Sequence, residues 1–134
     1  MTASASSGAT PSALVLFAHG SRDPRWSDPV RAIEAQVRQL APTVTVRCAY
    51  LELTPPDLTT VVRDLVRDGV HRIEVLPLFL GIGRHAREDL PLQIDALRAA
   101  HPGLALRLRP AIGEDPQVIE LLARIAVDSA GSAG

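Results

Sequence analysis

Four short apolar runs alternate along the chain with four segments whose apolar positions recur at helical spacing. The runs are residues 13–18 (ALVLFA), 44–51 (VTVRCAYL), 72–80 (RIEVLPLFL) and 104–110 (LALRLRP). The first and third are almost continuously apolar, as strands covered on both faces of a parallel sheet must be. The second and fourth are mixed, which suits strands nearer a sheet edge. Pro77, inside the third run, removes one ladder donor. Between the runs, Val30, Ile33, Val37 and Leu40 mark a first helix, and Leu58, Val61, Val62, Leu65 and Val66 a second. Leu90, Ile94 and Leu97 mark a third, and Val118, Leu121, Leu122 and Ile125 a fourth.

Local signals agree with this division. Thr54-Pro55-Pro56-Asp57 reads as a capping threonine, two first-turn prolines and an acid facing the helix dipole. Asp115-Pro116 repeats the cap-then-proline signal, and Gly69 and Pro102-Gly103 read as stops. The order βαβαβαβα predicts a doubly wound α/β fold: a flavodoxin-like, four-stranded parallel sheet of order 2-1-3-4 with helices on both faces. Ligands of such sheets bind beyond the carboxyl ends of the strands, at the switch point between the first and third.

A chain of 134 residues accommodates one domain, expected over residues 12–128. Residues 1–11 and 129–134, rich in Ala, Ser and Gly, read as a disordered N-terminal tail and a flexible C-terminal one. The start has no basic region, and the run at 13–18 is too short for a signal peptide or a membrane span, so the expected location is cytoplasmic. A net charge of −1 gives no electrostatic reason to expect nucleic-acid or membrane binding. All 14 basic residues are Arg, so an anion site here is an arginine site, with planar, bidentate geometry for carboxylate or phosphate. Cys48, the single cysteine, excludes a disulfide within the chain, a cysteine-based zinc site and a self-contained Fe–S cluster, and reads as a buried small hydrophobe.

The candidate chemistry lies at the carboxyl ends of the strands. His19 follows the first in AHGSRDPRW, Glu52 the second in YLELTPP, and His85 lies in the loop after the third in GIGRHARED. Residues 19, 52 and 85 are evenly spaced, one per βα unit, and a 2-1-3 order sets them on adjacent strands at one edge. Two imidazoles and a carboxylate suit a divalent metal with open positions for a substrate, or proton transfer. Arg22, Arg25, Arg84 and Arg87 lie close in sequence and suit a substrate carrying carboxylates or phosphates; the competing role for each is a surface ion pair with Asp23, Asp28, Glu88 or Asp89. Gly81-x-Gly83 lacks the rest of a dinucleotide fingerprint and no Walker lysine exists, so no nucleotide is expected. His71 and His101 read as helix-end residues, and Trp26 as a packing residue.

AHGSRDPRW, YLELTPP and PLFLGIGRHAREDLP together resemble the small form of the CbiX/SirB-type sirohydrochlorin chelatases, class II ATP-independent tetrapyrrole chelatases, over about residues 13–125. The resemblance implies a lyase, a sirohydrochlorin cobaltochelatase or ferrochelatase, that inserts Co2+ or Fe2+, or Ni2+, into sirohydrochlorin on the routes to cobalamin, sirohaem or the nickel tetrapyrrole. It implies that His19 and His85 hold the metal and that Glu52 binds metal or removes a proton. Because double-length members exist, it implies a homodimer of chelatase-like half domains with the cleft between subunits. Two other readings fit the residues: a non-catalytic metal carrier or sensor, and a histidine phosphatase, whose Arg-His-Gly order the chain lacks.

Overall fold

A computed structural model describes residues 12–131. The expected N-terminal tail, residues 1–11, lies outside the described residues, as do residues 132–134. The strands are β1 (Ser12–Ala18), β2 (Thr45–Tyr50), β3 (Arg72–Pro77) and β4 (Ala105–Leu108). The helices are α1 (Asp28–Leu40), α2 (Leu58–Arg67), α3 (Arg84–Ala100) and α4 (Pro116–Gly131), with 3-10 turns at Pro24–Ser27 and Ile112–Glu114. The strands pair in parallel in the order β2-β1-β3-β4, as the alternation of patterns predicts. Pro77 lies beyond the last β3–β4 pair, Val75 with Leu108, so it interrupts no rung of that ladder.

Successive side chains of a strand point to opposite faces, which fixes two layers. On one face Ala13, Val15 and Phe17 of β1 and Ile73 and Val75 of β3 meet Val61, Val62 and Leu65 of α2 and Leu90, Ile94 and Leu97 of α3. Each such burial is worth about 1.5–3 kcal/mol, so this layer carries most of the hydrophobic stabilisation. On the other face α1 covers β2 and β1, with Val30 against Ala18 and Tyr50. Trp26 packs there, edge-on to Tyr50 at a centroid distance of 6.2 Å. Cys48 is half-buried beside them, and its burial pushes the thiol up to about 11. Among the described residues no helix is long and apolar enough to cross a membrane.

Three sequence expectations change. Thr54 does not cap α2: the residue before a proline is pushed out of the helical region, so Thr54-Pro55-Pro56 stays outside the helix and Asp57 becomes the cap. Its Oδ1 accepts the Thr60 N–H at 2.8 Å. Ile33 and Leu40 of α1 are exposed, and so are Leu121, Leu122 and Ile125 of the apolar stripe of α4. α4 leaves the body after the Ile112–Glu114 turn, its main contact, and runs to Gly131, three residues into the segment read as a tail. Helical spacing identifies a face that needs cover; it does not say which surface supplies it.

The hydrogen bonds from Thr60 hold the Asp57 carboxyl below its ordinary value. A lowered folded-state value means stabilisation that is present above the unfolded value and lost as pH falls through the folded one. Asp57→Ala is therefore expected to cost about 1 kcal/mol near neutral pH in urea denaturation. The gap to wild type should close on acidification; a gap that persists at low pH would deny the cap this role.

Candidate active site

Hydrogen bonding continues past the end of β1 on both sides. The Leu51 N–H donates to the Ala18 carbonyl at 2.8 Å and the Glu52 N–H to the His19 carbonyl at 3.0 Å. On the other side the Leu78 N–H donates to the Phe17 carbonyl at 2.7 Å. The segment carrying His19 is thus held between the segments that follow β2 and β3. Gly20 makes the close approach possible. Its φ of +95° is in the left-handed region, and a Cβ there would lie 1.7 Å from the Glu52 carbonyl oxygen.

The His19 imidazole lies on the Phe79 ring, with centroids 4.2 Å apart and planes tilted by 31°. Phe79 is buried and itself meets Phe17 at 5.9 Å, so the exposed His19 ring rests on a fixed apolar support. The turn after β4 braces the same region. Gly113 donates its N–H to the Phe79 carbonyl at 2.9 Å, and a Cβ on Gly113 would lie 1.8 Å from the Leu80 carbonyl oxygen.

His85 is in the first turn of α3, not in a loop. Gly81 and Gly83 complete the turn before it, Gly83 is the extended N-cap residue, and Arg84-His85-Ala86-Arg87-Glu88 winds directly into helix. Pro91 within α3 has no N–H for the Arg87 carbonyl, which loosens the junction with the first turn. The positive end of the helix dipole, Arg84 and Arg87 together make this end of α3 attractive to anions. Arg84 meets Glu88 at 3.9 Å with both side chains exposed, a pairing worth little. Among the described residues Arg22, Arg25 and Arg87 make no ion pair, and Asp23 accepts the Arg25 backbone N–H at 2.9 Å instead of its guanidinium. These cations remain open to an anionic ligand.

The fold therefore sets His19, Glu52 and His85 on segments that follow three adjacent strands, and all three are exposed. Among the described residues no three or more His, Cys, Asp or Glu side chains are grouped so as to hold a metal ion. The exposed leucines Leu51, Leu53 and Leu80 belong to the same segments. Sequence reasoning missed Phe79 and Gly113, and gave Thr54 to the helix. Thr54 instead hydrogen bonds both backbone groups of Ser21. The spacing carried a signal for it, since Ser21 and Thr54 repeat the interval between His19 and Glu52.

A family model, CbiX, matches residues 13–129. The chain belongs to the CbiX family. A crystal structure described as a CbiX protein from Marinobacter aquaeolei VT8 is 35% identical and superposes with a TM-score of 0.73, covering 92% of this chain and 100% of that one. The sirohydrochlorin cobaltochelatase of Methanopyrus kandleri is 35% identical over 79 residues, 59% of this chain and 55% of the relative. The sirohydrochlorin ferrochelatase of Bacillus subtilis is 26% identical over 108 residues, 81% of this chain and 41% of the relative. The chain thus spans about half the length of these two relatives. In CbiX terms, the segments that carry His19 and His85 lie within the matched region, as does α4 up to Ser129.

Proposed function

We propose that this chain is a sirohydrochlorin chelatase that inserts Co2+ or Fe2+ into the tetrapyrrole without ATP. The observation that carries the reading is that the segments of His19 and His85 follow adjacent strands, in a family whose named relatives are cobalt and iron chelatases of sirohydrochlorin. Imidazole nitrogens bind such borderline ions while leaving positions open for incoming ligands. In this reading His19, steadied on Phe79, and His85, on the first turn of α3, hold the ion, and the macrocycle is laid over it. Metallation displaces two pyrrole N–H protons; the Glu52 carboxylate accepts one, beside the His19 carbonyl that its own backbone is bonded to, and solvent water takes the other. Arg22, Arg25, Arg84 and Arg87 engage the substrate's carboxylates and fix its orientation, the step that lowers the entropic part of the barrier.

The working form in this reading is a homodimer with the cleft between subunits. On α4 the charged residues Glu120, Arg124 and Asp128 share one stripe, while Ile119, Leu121, Leu122 and Ile125 are exposed around the rest of the helix. A helix apolar over most of its circumference belongs in an interior. The sheet face that α1 leaves open supplies a matching surface, a groove of about 470 Å³ lined by Leu14, Leu76 and Ile112 with Arg72, Glu74 and Arg109. A second copy is the occupant that fits, because the matched segment fills only 41% of the ferrochelatase, leaving room there for another unit of this size. Leu122→Asp is expected to halve the mass seen by light scattering at micromolar concentration; a wild type already monomeric there would sink the dimer.

Three activities separate the readings. A chelatase accelerates sirohydrochlorin metallation; a metal carrier binds Co2+ without accelerating it; a histidine phosphatase hydrolyses p-nitrophenyl phosphate. Phosphate-ester hydrolysis without metallation would replace the chelatase reading.

A further inference from the structure

We infer that Thr54 is a positioning residue for this site, locking the segments of His19 and Glu52 together through a strained turn at Leu53. The inference rests on the chelatase reading for its consequence in metal binding, but its geometry stands on its own. Leu53 has φ +66°, a conformation that side-chain-bearing residues adopt rarely. The Thr54 N–H donates to the Glu52 carbonyl at 2.7 Å, closing a three-residue γ-turn around it. The positive-φ form of this turn is strained, and such strain persists only where the surroundings over-determine it.

One hydroxyl supplies two of the hydrogen bonds that hold this turn in place. Thr54 Oγ1 donates to the Ser21 carbonyl at 2.8 Å and accepts the Ser21 N–H at 2.9 Å. That satisfies both backbone groups of Ser21, as a rung of sheet would, at a level where the strands have ended. The rung before it is the Glu52 N–H to the His19 carbonyl. Two successive rungs, one backbone and one side chain, therefore bracket His19, Gly20 and Ser21 on one segment and Glu52, Leu53 and Thr54 on the other. Ser21 and Thr54 are partly buried, so removal of the hydroxyl leaves a donor and an acceptor poorly matched. The turn at Leu53 then loses its anchor and relaxes, and Glu52 moves relative to His19.

Valine in place of Thr54 keeps the branched shape and removes the hydroxyl; serine keeps the hydroxyl. Co2+ titrated into the full chain, followed by its visible absorption, is expected to bind Thr54→Val about 10–100-fold more weakly than wild type, the scale typical of losing an outer-shell support. Thr54→Ser is expected to bind as wild type does, and kcat for metallation should follow the same order. Amide exchange on the wild type supplies a readout that needs no variant to fold: the Ser21 N–H should be protected. Equal Co2+ affinity in wild type and Thr54→Val, failure of serine to rescue, or a freely exchanging Ser21 amide would each overturn the inference. A wild type that binds neither Co2+ nor Fe2+ would instead overturn the chelatase reading, and the metal-site role of Thr54 with it.

Discussion

His85→Ala is expected to reduce the acceleration of sirohydrochlorin metallation by more than about 100-fold while leaving the fold intact. Loss of an outer-shell support costs about 10–100-fold, so loss of a metal-binding imidazole itself should cost more. The fold should not respond, because His85 is exposed on the first turn of α3 and alanine is the better helix former. Rate and stability are thus separable at this position. Unchanged turnover in His85→Ala, with an unchanged circular dichroism spectrum, would remove His85 from the metal site. His19 is less clean as a probe, since its ring also covers Phe79.

Gly20→Ala is expected to cost about 3 kcal/mol in urea denaturation and most of the activity. Two independent penalties add. The backbone has φ +95°, and the new Cβ would lie 1.7 Å from the Glu52 carbonyl oxygen, a rigid backbone atom. Relief requires the His19 and Glu52 segments to part, which breaks the rung between them. Gly69 provides the comparison, with a similar φ of +93° but nothing within 4 Å of its would-be Cβ. Gly69→Ala should therefore cost only about 1 kcal/mol and leave metallation unchanged. Equal costs at the two glycines would mean that the approach to Glu52 contributes nothing.

The alternation of apolar runs and helical stripes carried the sheet order, because βα crossovers leave few topologies open. The even spacing of His19, Glu52 and His85 reflects one residue after each of three strands, which the topology sets side by side. What the sequence did not reveal depends on contacts between segments. Phe79 read as one more apolar strand residue, and only the folded chain shows the His19 ring lying on it. Thr54 looked like a helix cap, since capping and cross-loop clamping use the same hydroxyl. The periodicity of α4 was clear, yet its apolar side chains stand exposed instead of on their own sheet, a difference no pattern of periods encodes. The first turn of α3 was hidden by Gly81 and Gly83, which read as loop residues and serve instead to bring the chain into the helix.

We propose that this protein accelerates metal insertion into sirohydrochlorin through the segments that carry His19 and His85. The most direct measurement mixes the purified protein, sirohydrochlorin and one of Co2+, Fe2+ or Ni2+ without oxygen or nucleotide, and follows the visible spectrum of the macrocycle. Metallation with Co2+ or Fe2+ is expected well above the protein-free rate. Rates no faster than the protein-free reaction with all three ions would contradict it.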